Sequence, residues 1–178
     1  MSRQLLATVT FIPLLLGCAL LGANAEPPLS PDQRAISPDQ RELVAATCDR
    51  VMGLGHGGVY RTECMDSLAR SIVARAEGAR LASSFRTCRS RGLSEGTAAF
   101  SACMLDNPGE GRMLPATPLK LAYDTTAPEN AKSYFDINNR VRWRREQYSC
   151  AQIGLTPGSS SFGQCVASLD ASLMPNPN

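Results

Sequence analysis

The sequence predicts an all-α protein of about five helices, arranged as three units in which two helices meet at a tight corner stapled by a disulfide. Two observations support this prediction. Six of the seven cysteines fall in three copies of one pattern, and apolar residues recur at helical spacing between them. With 178 residues, the chain is expected to form about one domain.

The first 25 residues are typical of a bacterial export signal. Arg3 gives a positive start, residues 5–21 are mainly apolar, and residues 23–25 (Ala-Asn-Ala) form a cleavage site. A second interpretation overlaps with it, because residues 15–18 (Leu-Leu-Gly-Cys) resemble a lipobox in which Cys18 is lipidated. A retained membrane anchor is disfavoured, since a spanning helix needs roughly 20 apolar residues. We therefore expect this segment to be cleaved off, which gives a periplasmic or secreted protein. The alternative is a protein anchored to the envelope membrane through Cys18.

Either route leaves six cysteines in an oxidising compartment, which favours disulfides. In each copy the closing cysteine is the tenth residue after the leucine of a Gly-Leu pair, and the first copy has one extra residue before Gly53. This spacing predicts pairing within each copy, although spacing alone leaves other pairings open. The predicted disulfides are Cys48–Cys64, Cys88–Cys103 and Cys150–Cys165. No Cys-x-x-Cys pair is present, so zinc binding and thiol oxidoreductase activity are disfavoured.

The Gly-Leu pairs are expected to end helices. A glycine at this position adopts the left-handed conformation, and the leucine after it provides an apolar contact. Gly92 and Gly154 are therefore expected to have positive φ. After the corner, we expect Ser94 or Thr156 to cap the next helix, with Pro157 at its first position.

Capping signals and apolar periodicity predict five helices in order. A kink near Gly78, or one long helix that serves two corners, is expected within the second helix because its apolar stripe changes side there. The expected helices cover residues 38–52, 58–91, 95–105, from about 129 onward, and 157–173.

The remaining segments divide the chain. Residues 26–37 are expected to be a proline-bearing tether, and residues 175–178 a tail. The Pro- and Gly-rich residues 106–128 separate two corners in residues 38–105 from the third corner in residues 129–174. Such a loop is either a functional insertion or a linker between subdomains.

One stretch of the fourth helix is the best candidate for a binding surface. Its four arginines surround a tryptophan, an arrangement that suits an anionic partner. The candidate residues are Arg140, Arg142, Trp143, Arg144 and Arg145. Acidic residues in the same helix favour the alternative of a solvated face with internal ion pairs.

Composition excludes several classes of protein. The net charge of +2 argues against a nucleic-acid-binding protein. His56 is the only histidine, which excludes a two-histidine metal site. We expect His56 to be an exposed corner residue, with a general base or an anion site at residues 55–58 as less favoured alternatives. We therefore expect no catalysis, no metal and no other cofactor.

The third copy of the cysteine pattern carries a resemblance. Between Cys150 and Cys165 its Gly-Leu, Pro-Gly-Ser and phenylalanine resemble a motif of short exported proteins and lipoproteins of proteobacteria. The resemblance is partial in the second copy and weak in the first. It implies a location in the cell envelope and no activity, and it transfers no catalytic residue.

The expected function is a non-catalytic binding or structural component of the bacterial envelope. Its partner would be an envelope protein or an anionic surface, and it would contact a membrane only through a lipidated Cys18. One alternative is an accessory subunit or inhibitor of an envelope enzyme, acting through residues 106–128. A second alternative is an enzyme of unrecognised type.

Overall fold

The computed structural model describes residues 28–107 and 132–174, and within these ranges the protein is all-α. A π-helical turn at Thr47–Val51 continues the second helix, and a 3-10 turn at Tyr134–Asp136 precedes the fifth. The α-helices are α1 Pro31–Ala35, α2 Pro38–Ala46, α3 Val59–Ser90, α4 Ala98–Asp106, α5 Asn139–Gln152 and α6 Ser160–Leu173. The export signal, Cys18, residues 108–128 and the tail lie outside the described residues. None of the helices described is long and apolar enough to cross a membrane.

The three predicted disulfides are confirmed. Their Cα–Cα distances are 6.0 Å for Cys48–Cys64, 5.9 Å for Cys88–Cys103 and 6.0 Å for Cys150–Cys165. Each bridge joins the end of one helix to the next helix across a corner. The fold class of stapled helical corners is therefore as the sequence predicts.

The Gly-Leu pair ends the helix as expected in the third corner. Gly154 has a φ of +84° and donates to the carbonyl of Ala151 at 2.9 Å, and Leu155 donates to the carbonyl of Cys150 at 3.2 Å. These are the two hydrogen bonds of a Schellman motif. Gly92 also has a positive φ, +77°, in the equivalent place of the second corner.

The extra residue of the first copy is accommodated by the π-helical turn. Met52 donates to the carbonyl of Thr47, five residues earlier, at 3.1 Å. A π turn takes up one more residue than an α turn. Leu54 therefore still donates to the carbonyl of Cys48, at 3.3 Å, as its counterparts do in the other corners.

The predicted caps after the corners are wrong. The hydroxyls of Thr97 and Ser159 cap α4 and α6, each accepting from a phenylalanine amide at 3.2 Å. Ser94 and Thr156 instead begin turns, in which Thr156 accepts from the amide of Ser159 at 3.1 Å. A Pro-Gly pair at the two central positions is typical of such a turn. The third and fifth predicted helices consequently begin at Ala98 and Ser160 rather than at residues 95 and 157.

Two further boundaries differ from prediction. Residues 26–37 are not simply a tether, because Ser30 caps the short helix α1 and Ile36 is buried in the core with 3% exposure. The helix predicted from about residue 129 begins only at Asn139, where Asn138 accepts from the amide of Val141 at 3.0 Å. The side chain of Asn138 favours an N-cap over continuation of a helix.

The first and third corners share one core. Helix α6 packs against α3 and α5, and the π-helical turn packs against α5. The buried cluster includes Met52 from the first corner, Leu68 from α3 and Leu155 from the third corner. Residues 38–105 are therefore not a unit apart from residues 132–174.

The second corner has its own small cluster. Cys88, Phe100 and Cys103 are buried there, and the rings of Phe85 and Phe100 lie 5.3 Å apart. Helix α3 is one uninterrupted helix of 32 residues that carries both Cys64 and Cys88. Of the two alternatives predicted for it, the long helix that serves two corners is confirmed.

Candidate functional site

A groove of about 800 Å³ lies between α5 and α6. Its α5 side comes from positions 139, 142, 143, 146 and 147, which share a helix face because they are three or four residues apart. Its α6 side is formed in the same way. The apolar and small residues along that side are Phe162, Gly163, Val166, Ala167 and Met174.

Trp143 stands at the rim of the groove. Its side chain is 56% exposed, and it is the only tryptophan of the chain. A large aromatic side chain left in solvent beside an apolar groove is typical of a binding surface.

Arg142 is held along the edge of the groove. Its guanidinium donates to the Oδ1 atom of Asn139 and contacts the Sδ atom of Met174 at 2.9 Å. The same group lies 5.9 Å from the centre of the Tyr134 ring, within the range of a cation–π contact. Arg142 is thereby fixed in place by neighbours from α5, α6 and the 3-10 turn.

A buried acid lines the groove. Glu146 is 2% exposed, and its Oε1 atom accepts from the hydroxyl of Tyr134 at 2.5 Å. Burial raises the pKa of the Glu146 carboxyl above its ordinary value, and the charge of Asp170 raises it further. The Tyr134 hydrogen bond and the charge of Arg142 oppose these effects. Burial and the bond to Glu146 also raise the pKa of the Tyr134 hydroxyl.

The structure divides the predicted arginine-tryptophan surface. Arg142 and Trp143 line the groove, whereas Arg140 and Arg144 are exposed outside its lining. Arg145 was expected on the same surface, and this prediction is wrong because its side chain is fully buried. The groove therefore keeps two of the five predicted residues.

The buried position of Arg145 follows from helix register. Val141, Arg145 and Ser149 are four residues apart and all face the core. Arg145 donates to the backbone carbonyls of Met52 and Lys132, both at 3.0 Å. This register is visible in the sequence and would have separated Arg145 from Arg142.

Sequence reasoning missed the acids of the groove. In the sequence Glu146 is one of the acidic residues that balance the arginines of its helix, and no motif marks Asp170. Nothing in a single sequence indicates that Glu146 is buried against Tyr134, because that contact depends on the 3-10 turn. The turn brings Tyr134 back onto α5.

His56 lies in the first corner and its side chain is 91% exposed, as expected. Its Nδ1 atom is 3.3 Å from Asp49 Oδ2, and Asp49 in turn binds Arg61 at 2.7 Å. Arg61 occupies the place that a phenylalanine takes in the other two copies. A polar group at this corner thus stands where the other two corners have a buried phenylalanine.

Among residues 28–107 and 132–174, no cluster of three or more histidine, cysteine or acidic side chains has an arrangement that could hold a metal ion. The candidate site is therefore the α5–α6 groove, which has apolar walls and three ionisable side chains, Arg142, Glu146 and Asp170. No model of a known protein family, no curated protein and no solved structure matches the chain.

Proposed function

We propose that the protein is a non-catalytic binding component of the bacterial cell envelope and that the α5–α6 groove is its binding site. The observation that carries this proposal is the groove itself, with a volume of about 800 Å³ and an exposed tryptophan at its rim. Mostly apolar walls with a few placed polar groups are typical of ligand sites of this size.

The envelope location is supported by the cysteines. Three disulfides are consistent with an oxidising compartment outside the cytoplasm. The export signal and the resemblance to exported proteins and lipoproteins favour the periplasm or the exterior. A lipid anchor on Cys18 is the alternative route.

Intact-mass analysis of protein made in a bacterial host tests the route. We expect a chain that begins at Glu26, since residues 23–25 form the better cleavage site. A lipidated chain beginning at Cys18 would place the protein on the membrane instead. Retention of residues 1–17 would contradict both routes.

The binding role is tested by filling the groove. Gly163 lies in α6 and lines the groove, and a Cβ added there meets no atom within 4 Å. The Cβ of Gly163→Leu therefore has room, the rest of its side chain takes up space in the groove, and a leucine is favoured over glycine within a helix. Gly78→Leu is the matched control, because Gly78 is also helical and has the same open surroundings on α3.

The mature protein and both variants are immobilised and exposed to envelope extracts, and retained proteins, lipids and small molecules are identified by mass spectrometry. We expect a molecule that the wild type and Gly78→Leu retain and Gly163→Leu loses. Identical retention by all three proteins would mean that the groove is not the binding site.

A further inference from the structure

The charges of the groove are not balanced. Glu146 and Asp170 contribute two carboxylates to the lining and Arg142 contributes one guanidinium. The guanidinium already contacts Asn139 and Met174. When all three groups are ionised, the groove carries an excess of one negative charge.

Glu146 is the buried carboxylate of this set, and it forms no ion pair with any described residue. It is 2% exposed, and its hydrogen-bond donor is the neutral hydroxyl of Tyr134. Within the described ranges no lysine, arginine or histidine forms an ion pair with it. The charge of Arg142 and the Tyr134 hydroxyl offset only part of the desolvation cost of this carboxylate, and a ligand cation at the same place would offset more of it.

Building on the proposed binding role of the groove, we propose that its ligand is a small amphiphilic organic cation, an ammonium group attached to an apolar body. The ammonium lies by Glu146 and Asp170. The apolar body lies against Phe162 and Val166, which line the same groove. The exposed face of Trp143 stabilises the cation from the rim.

Other ligand classes fit less well. An anion would enter beside two carboxylates, and the one guanidinium available to it is already engaged with Asn139 and Met174. A neutral apolar molecule would add nothing to the partial compensation that Tyr134 and Arg142 give the carboxylate of Glu146. A volume of about 800 Å³ lies in the range of sites for small molecules.

The sole tryptophan gives a direct measurement, because any change in its fluorescence arises at residue 143. The mature protein is titrated at pH 7.5 with three probes of equal chain length, used below their micellar concentrations. They are n-octylammonium chloride, n-octyl sulfate and 1-octanol. We expect n-octylammonium to bind about tenfold more tightly than 1-octanol, in keeping with one charge-assisted contact.

The variants locate the cation. Asp170→Asn and Glu146→Gln should each weaken binding of n-octylammonium about tenfold and leave 1-octanol unchanged. Glu63→Gln is the control. It removes a carboxylate from the exposed surface of α3 and should leave the binding of n-octylammonium unchanged. Gly163→Leu should abolish the fluorescence response, and Gly78→Leu should keep it.

Three results would overturn the inference. Equal affinity for n-octylammonium and 1-octanol would leave an apolar binding groove but no cation site. Tighter binding of n-octyl sulfate would reverse the charge preference. A response to n-octylammonium that survives in Gly163→Leu would place the cation elsewhere. The proposed binding role of the groove is tested separately, by the retention of molecules from envelope extracts, and none of these three results changes that outcome.

Discussion

The guanidinium of Arg145 lies against the backbone at Gly53 and joins the third corner to the first. Its Nη1 atom donates to the carbonyl of Met52 and its Nη2 atom to the carbonyl of Lys132, both at 3.0 Å. A Cβ added at Gly53 would stand 3.0 Å from Nη1 and 2.9 Å from the Lys132 oxygen. Gly53 therefore both ends the helical segment formed by α2 and the π-helical turn and leaves room for a buried arginine 92 positions further along the sequence.

Removing the guanidinium should destabilise the shared core. Arg145→Ala leaves two backbone carbonyls without their donor and opens a cavity, and we expect a loss of about 3 kcal/mol or more in the free energy of unfolding. Urea unfolding followed by circular dichroism measures it. Arg140→Ala, an exposed arginine on the same helix, should change the value by less than about 0.5 kcal/mol. Equal effects would show that the buried contacts contribute nothing.

A methyl group at Gly53 should cost more than one at Gly55. Both glycines have positive φ, +68° and +71°, so alanine at either position carries the cost of about 1 kcal/mol for a left-handed residue. A Cβ at Gly55 meets nothing within 4 Å, whereas at Gly53 it collides with the Lys132 carbonyl. We expect Gly53→Ala to lose at least about 2 kcal/mol in unfolding free energy. Indistinguishable melting curves of the two variants would contradict the close approach.

The acid of the groove should make stability depend on pH. Because the folded-state pKa of Glu146 is raised, the folded protein holds this proton more tightly than the unfolded chain does. This contribution is complete below the ordinary carboxyl pKa of about 4.3 and is lost as pH rises through the raised value. The groups that face Glu146 are Tyr134, Arg142 and Asp170.

Glu146→Gln keeps an acceptor for Tyr134 and removes the titration. Between pH 4 and pH 7, the variant should therefore lose less unfolding free energy than the wild type, as measured by urea unfolding at unit steps of pH. Glu63→Gln, on the exposed surface of α3, should follow the wild type. Parallel profiles for Glu146→Gln and the wild type would mean that burial does not raise this pKa.

The second disulfide should stabilise one corner locally. Helix α4 packs mainly on α3 and belongs to the small cluster of Phe100 rather than to the main core. Replacing both Cys88 and Cys103 with alanine removes a constraint of about 3 kcal/mol on a loop of this length. Hydrogen exchange should then accelerate in the amides of α4 and remain slow in α6.

Replacing both Cys150 and Cys165 with alanine is the matched comparison, since this bridge closes a loop of the same length inside the shared core. It should lower the midpoint of global thermal unfolding. If the variant without Cys88–Cys103 showed the larger drop in that midpoint, the second corner would be part of the main core after all.

The corners themselves are predictable because their determinants are local. A glycine that ends a helix, a leucine after it and two cysteines fewer than twenty residues apart interact within a single stretch of chain. The exact starts of α4 and α6 were missed because Ser94 and Thr97, and likewise Thr156 and Ser159, offer the same capping chemistry three residues apart. The left-handed Gly96 and Gly158 between them form a turn and move the cap to the second residue of each pair.

The groove and the buried arginine depend on tertiary packing instead. Helix register puts Arg142 and Arg145 on different faces of α5, but only the packing of α5 on the first corner decides that Arg145 is buried and that Arg142 borders the groove. Tyr134 and Glu146 meet only because a 3-10 turn folds back onto α5, and α6 then supplies Asp170 beside them. The chemistry of the site is therefore decided by contacts between separate elements, since helical periodicity specifies which residues share a face but not what that face meets.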